Sequence, residues 1–266
     1  MTNLTLVPTA GLCNRINAIL CAIAISKVTD LNTQIYWEKS SECYADFSDL
    51  FQPIQGFPVH KLTSFVLKPG NAKNLFLPSI LRKLMLKKCH NGEKTTFVDI
   101  LPMLREQENI YINSSNRFSV QDITKSVGEI FRPIDILEEK INNIVSEFSD
   151  ETIGIHIRRT DNVQSISESP IERFEQFIEE EIAKNPNCKF YLATDDIEIK
   201  QLFKQKYPNN IIAKENELKR NSVKGMQDAV IDLYCLAKTT MILGSSHSTY
   251  SLMASWLYNT PLTICR

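Results

Sequence analysis

Two adjacent arginines end an apolar run in the stretch TIGIHIRRTDNV, residues 152–163. Arg158 and Arg159 come directly after Ile153–Ile157, and Asp161 follows. Arginine grips phosphate or carboxylate because its planar guanidinium donates a forked pair of hydrogen bonds and keeps its charge when partly desolvated. Open α/β sheets bind ligands just beyond the carboxyl ends of their strands. Position and chemistry together point to an anionic substrate held at this turn. The plainer alternative is a solvated ion-pair turn.

Three further clusters lie where strands should end and helices begin. GLCNR, Gly11 to Arg15, joins a short strand to a helix and could offer backbone N–H groups to an anion. It is neither GxGxxG nor a P-loop, and a tight turn capped by Asn14 explains it equally well. SSHS, Ser245 to Ser248, sets hydroxyls and N–H donors at a helix start, a natural phosphate site or a simple cap. Asp195 and Asp196 follow the strand KFYLAT; a helix cap with a first-turn acid is favoured there over a metal site, since no third ligand is signalled. Asp232 stands inside the apolar run DAVIDLYCLA. It must point outward or accept from specific donors, and guanine offers such donors in N1–H and N2–H₂.

The elements that would position these residues are legible in the second half. A strand over 153–157 is followed by a charged loop and then a helix from about Pro170, with Ser169 as its cap and Phe174, Phe177, Ile178 and Ile182 as its apolar face. Strands are expected at 189–194, 210–213, 241–243 and 261–265, and helices at 197–206, 226–237 and 249–257. Alternating strands and helices predict a parallel sheet covered on both faces. In the first half the pattern predicts strands over 4–7, 34–37 and 109–113 and a helix over 13–28, its buried face carrying Ile16, Ile19, Leu20, Ile23 and Ala24. Residues 54–104 are poorly patterned. The best boundary is Ser149–Thr152, giving domains 1–150 and 151–266.

Composition narrows the function classes. At 266 residues the chain is long for one hydrophobic core. A net charge of -1 argues against a protein that coats nucleic acid. Seven cysteines without a CxxC pair, several inside apolar segments, fit a reducing cytoplasm. No basic leader precedes the first strand, and no apolar run reaches the ~20 residues of a membrane helix. Four scattered histidines make a zinc site unexpected. Residues Ser79–Cys89 read as a basic amphipathic helix with Ile80, Leu81, Leu84 and Met85 on one face. It is either a surface helix with a solvated basic side or a peripheral contact with an anionic membrane.

As an ordered set, GLCNR, HIRRTD at His156–Asp161, YLATDD at Tyr191–Asp196 and the segment Arg220–Leu257 resemble the GDP-fucose-dependent fucosyltransferases. These are the alpha-1,6, alpha-1,2 and protein O-fucosyl type, including the bacterial nodulation enzymes. The last three motifs cover most of residues 153–257. The resemblance implies a GT-B architecture, two Rossmann-like domains facing a cleft, and inverting, metal-independent transfer of fucose from GDP-fucose. The expected acceptor is a glycan hydroxyl, and a glycolipid precursor would suit the basic helix at Ser79–Cys89. No cofactor is expected. Carried over by residue, Arg158 would hold the β-phosphate, with Arg159 and Asp161 supporting its loop. His156 and Asp232 would contact guanine and its surroundings; Ser246, His247 and Ser248 would line the diphosphate. Asn14 and Arg15 would close the pocket from the first domain. Two positions depart from the pattern: Asn162 stands where the alpha-1,6 group has Lys, and Ile166 where it has the Glu usually taken as general base. Glu168, two residues on, becomes the candidate base. Another nucleotide sugar on the same scaffold, or a non-catalytic carbohydrate-binding module, are the alternatives.

Overall fold

The computed structural model describes residues 3–29, 31–68, 80, 81, 84, 88–91, 110–115 and 127–266. The chain forms two compact units: one holds Met1–Ile123, Glu129–Arg132 and Arg220–Met226, the other Thr124–Gly128, Pro133–Lys219 and Gln227–Arg266. The expected boundary at 150 therefore falls inside the second unit, which takes in the helix that precedes it, and a short stretch near 220 returns to the first.

The first unit is built on a parallel sheet of five strands in the order β3-β2-β1-β5-β4. These are β1 (Asn3–Pro8), β2 (Asn32–Trp37), β3 (Val59–Lys61), β4 (Lys88–Asn91) and β5 (Ile110–Ser114). Between β1 and β2 runs α1 (Leu12–Thr29). Almost every residue of α1 from Leu12 to Ile25 is buried, not one face only. Its Ile, Leu, Ala and Cys residues occupy all sides, which makes it a core helix. By length and composition alone it could cross a membrane; in the fold it is packed against the sheet. Beyond β2, Trp37, Phe47, Phe51 and Phe131 form a cluster with ring centroids 5.4–6.4 Å apart. Most of the predicted basic helix lies outside the described residues. Ile80, Leu81 and Leu84 are helical, but Lys88 and Cys89 belong to β4, which pairs in parallel with β5, so the helix does not reach Cys89.

The second unit opens with α3 (Asp135–Val145), after the single turn α2 (Val127–Ile130) that straddles the two units. Its five parallel strands run in the order β10-β9-β6-β7-β8: β6 (Ile153–Ile157), β7 (Phe190–Thr194), β8 (Ile211–Ile212), β9 (Ile242–Ser245) and β10 (Leu262–Cys265). The connections are helical: α4 (Val163–Glu168), α5 (Ile171–Lys184), α6 (Ile197–Lys206), α7 (Val223–Ala237) and α8 (Thr249–Tyr258). β6 is buried along its whole length because it lies at the centre of the sheet. Ile155, Ile157, Phe190, Leu192 and Leu243 meet Phe174, Ile178 and Phe203 of the covering helices in one core. Phe177 and Ile182 pack at its edge, as the periodicity of α5 predicts. Ser169 does not cap α5; Pro170 holds that position in extended backbone.

The strand order decides where a ligand could sit. From β6 the chain winds outward through β7 and β8, then returns to place β9 on the other side of β6. The connections after β6 and β9 leave in opposite directions and open a crevice at their carboxyl ends. In the first sheet the order differs: after β3 the chain reaches the far edge at β4 and returns inward to place β5 beside β1. His156–Asp161 and Ser245–Ser248 thus fall at the switch point of the second sheet, and Gly11–Arg15 follows the central strand of the first.

Candidate active site

The crevice of the second unit is assembled around one serine hydroxyl. Ser245, at the end of β9, accepts from the Arg158 backbone N–H at 3.0 Å and donates to the His156 carbonyl at 3.2 Å. It locks the end of β6 to the end of β9 just where the helical connections diverge. Gly244 beside it lets α8 approach: a Cβ there would lie 2.6 Å from Ser251.

Asp195 shapes the loop after β6. Its carboxylate accepts from the Arg159 N–H at 2.8 Å and the Thr160 hydroxyl at 2.6 Å, and pairs with Arg158 Nε at 3.1 Å. Arg158 also pairs with Asp161. Asp196 caps α6, accepting from Glu198 and Ile199 N–H groups. The structural reading of this acidic pair therefore holds, with one addition: Asp195 organises the loop rather than the helix. Among the described residues no group of three or more His, Cys, Asp or Glu side chains is arranged to hold a metal.

The two arginines divide their work. Arg158 is about four-fifths buried at the crevice, between two carboxylates. Arg159 turns away and donates to the carbonyls of Ile166 at 3.3 Å and Ser169 at 2.5 Å. Burial lowers its pKa from the ordinary arginine value. Arg159 fastens α4 under the loop, and Arg158 stays at the crevice between Asp161 and Asp195.

His156 is buried and works from beneath. Its Nδ1 lies 2.7 Å from Ser251 Oγ, and its ring stacks on Tyr250 with centroids 4.8 Å apart. Burial, reinforced by Arg158 and opposed by Asp195, brings its pKa down to about 4, so the ring is neutral at pH 7. His156 fixes the first turn of α8, whose N–H groups face the crevice end. Ser248 begins that helix without making a side-chain cap, leaving the turn to be held by other residues.

Those residues are on α4. Glu168 accepts from Ser246 Oγ at 2.7 Å and Gln164 Nε2 at 2.9 Å, and His247 Nε2 lies 3.0 Å from both of its oxygens. Ser246, Gln164 and His247 hold the Glu168 carboxyl down to about 2. Asn162 caps α4 and donates from Nδ2 to the His247 carbonyl at 3.1 Å. Ser169 Oγ accepts from Ser246 N–H at 2.8 Å and donates to the Cys265 carbonyl. A carboxylate with so low a pKa is a weak proton acceptor, so the geometry makes Glu168 an anchor of the turn rather than a base.

Asp232 lies in a buried network of its own. Tyr191 donates to one oxygen at 2.5 Å and Asn216 to the other at 2.6 Å. Lys200, itself buried, donates to Asn216 and to the Lys214 carbonyl. Burial raises the Asp232 pKa to about 6, with Tyr191 opposing. This network pins the segment after β8 to α6 and α7. Sequence reasoning missed Tyr191, Asn216 and Lys200; a lysine within the apolar pattern of α6 was the available signal.

In the first unit Arg15 is buried. It donates to the Ala10 carbonyl at 2.7 Å, to the Glu38 carbonyl and to Ser40 Oγ at 2.8 Å, with its guanidinium 4.8 Å from the Trp37 ring centroid. Those bonds tie the turn after β1 to the segment after β2. Asn14 is half-buried in the first turn of α1 and is not its cap. The left-handed residue of the turn is Ala10, at φ 62°, not Gly11. The structure thus brings together His156, Arg158, Arg159, Asp161, Glu168, Ser246, His247 and Ser248, with Asp232 and Arg15 in separate networks and Asn14 in the first turn of α1.

No family model matches the chain. Solved structures do. NodZ alpha-1,6-fucosyltransferase soaked with GDP-fucose superposes with a TM-score of 0.64 at 18% identity, over 97% of this chain and 93% of that one. The same enzyme is known from Bradyrhizobium. POFUT1 in its apo form gives 0.61 at 12% identity, over 99% and 98%. A FUT1 variant of Arabidopsis thaliana in complex with GDP gives 0.67 at 13% identity, over 99% of this chain and 70% of that one. The chain shares their fold. These neighbours are GDP-fucose fucosyltransferases, the superfamily that the HIRRTD, YLATDD and SSHS segments resemble.

Proposed function

We propose that this chain is a glycosyltransferase that moves fucose from GDP-fucose to a hydroxyl of a glycan acceptor, by inversion and without a metal. The observation that carries the reading is Arg158. It stands at the carboxyl end of the central strand, beside the Ser245–Ser248 turn and the start of α8, at the point where the sheet reverses. A fixed guanidinium and the N–H groups of a helix start are suited to a diphosphate. Departure of GDP places negative charge on its β-phosphate. Donors already aimed there stabilise the transition state more than the ground state. In the free protein Asp161 and Asp195 share Arg158; a diphosphate would take over part of that pairing. The two units would act as the Rossmann-like domains of a GT-B enzyme, with the donor on the second and the acceptor on the first.

Release of GDP from GDP-fucose, with water as acceptor, tests the reading. Arg158→Ala should lower the rate by roughly two to three orders of magnitude, while the protein remains folded. Turnover near the parent level in that variant would defeat the mechanism. A thermal-shift panel should rank GDP above UDP; the reverse order would favour another nucleotide sugar on the same scaffold.

A further inference from the structure

We infer that a cavity at the amino end of the second sheet binds a small organic cation, a protonated amine on a short apolar stem. The cavity has a volume of about 380 Å³ and lies between the start of β6, the start of β9 and the end of α5. It is at the opposite end of the strands from the crevice. β6 runs from Ile153 to Ile157, so roughly 16 Å of strand separates the cavity from Arg158.

The floor is apolar: Ile153 and Cys188 are buried, and Met241 is half-buried beside them. Two carboxylates stand over it, Glu151 exposed and Glu181 about a quarter exposed. Asn185 Nδ2 donates to Glu151 at 2.9 Å and ties that carboxylate to the end of α5. Thr240 Oγ1 donates to the Thr152 carbonyl at 3.0 Å, which leaves only its lone pairs for a further partner. The lining thus offers acceptors to a ligand that brings donors. Among the described residues no cationic side chain lines it. Lys184 pairs with Glu181 at 2.7 Å, but its side chain is about two-thirds exposed and lies outside the lining.

The backbone adds charge of the same sign. A helix carries partial negative charge at its C-terminus. α5 ends at Lys184 and α7 at Ala237; Asn185, directly after the one, and Thr240, three residues after the other, both line the cavity. The Cys188 thiol registers the sum. Burial raises its pKa, Glu181 and Glu151 raise it further, and Lys189 opposes only in part. In a parallel sheet covered by helices, the carboxyl ends of the strands meet helix N-termini and suit an anion; the amino ends meet helix C-termini and suit a cation.

The lining selects an amine over a metal ion. Magnesium and calcium take six or more oxygen ligands. Here the floor is an isoleucine, a methionine and a thiol, and no metal-holding group of His, Cys, Asp or Glu occurs among the described residues. An ammonium needs one or two carboxylates, and its apolar stem covers the floor.

Titration of the full chain with hexylammonium, followed by amide ¹H–¹⁵N shifts, tests the site. The amides of Cys188, Thr240 and Met241 should shift and saturate. Hexan-1-ol should bind about tenfold more weakly, since it lacks the charge. Saturating GDP should not displace the amine. Glu151→Gln combined with Glu181→Gln should bring the amine down to the affinity of the alcohol. Equal binding of amine and alcohol, shifts that map elsewhere or do not saturate, displacement by GDP, or a preference for the amine kept in the double variant overturns the inference. The comparisons on the parent stand whether or not that variant folds. A parent that fails to bind GDP counts against the donor reading alone.

Discussion

At the scale of single residues, His156 and His247 show how little a residue type reveals without its surroundings. Both belong to segments that could do chemistry. His156 is sealed between Ser251 and Tyr250 and is kept neutral by burial. That has a consequence for stability. Its folded pKa, about 4, lies below the ordinary value of 6.5. The unfolded chain therefore binds more protons between those values. The stabilisation is present in full above pH 6.5 and is lost as pH falls through 4, by about 3 kcal/mol from a shift of this size. Asp232 acts with the opposite sign: its pKa is raised to about 6, so its contribution is lost as pH rises through that value. The two must be separated by a difference. His156→Asn keeps a polar atom near Ser251 but no titrating ring. Denaturant unfolding at pH 7 and pH 4 should show the parent losing about 3 kcal/mol more than the variant. Equal losses would mean that His156 is not held neutral. The sequence offered HxRRTD but not this burial, because the contacts of His156 come from Ser251, 95 residues away.

At the scale of elements, the second unit was readable and α4 was not. β6 matches its predicted span, and β7, α7, α8 and β10 differ only by a few residues at their ends. These elements carry strong apolar periods or buried runs. α4 is six residues long, polar on most sides and only Ser165 is buried. It has no period to detect, and its signal was a single cap, Asn162. The first sheet was harder for the same reason: β3 and β4 are three and four residues long, and α1 is apolar all round, so periodicity marks no face. Gly244 is where an element-scale contact can be tested. Gly244→Ala would push its new methyl into Ser251 at 2.6 Å. The expected cost is about 1–3 kcal/mol, with weaker GDP binding as the start of α8 shifts. Urea unfolding and a GDP titration on the same sample check it. Unchanged values would show that the packing of α8 on β9 does not set the turn.

At the scale of the molecule, two parallel sheets were predicted and found, while the division of the chain was not. The pattern changes at Thr152, yet α3 belongs to the second unit and Arg220–Met226 to the first. Such returns are set by packing between distant segments, which no local composition marks. Cys13, Cys21, Cys43, Cys188, Cys235 and Cys265 are all buried. A thiol reagent should leave these six slow in the native protein and modify all seven cysteines after denaturation. Fast native reaction of more than one thiol would contradict their burial.

The hydroxyl of Ser245 bridges partners 87 and 89 residues away in the chain. Parallel pairing over such separations must close a long loop before it gains anything, which makes it slow. Helices α5 to α7 can form from local contacts well before β9 finds β6. During refolding the far-ultraviolet signal of helix should therefore recover ahead of nucleotide binding. If both return with one rate constant, the crevice forms together with the rest of its unit. If binding lags, the chain passes through a state with nearly all its secondary structure and no grip on phosphate.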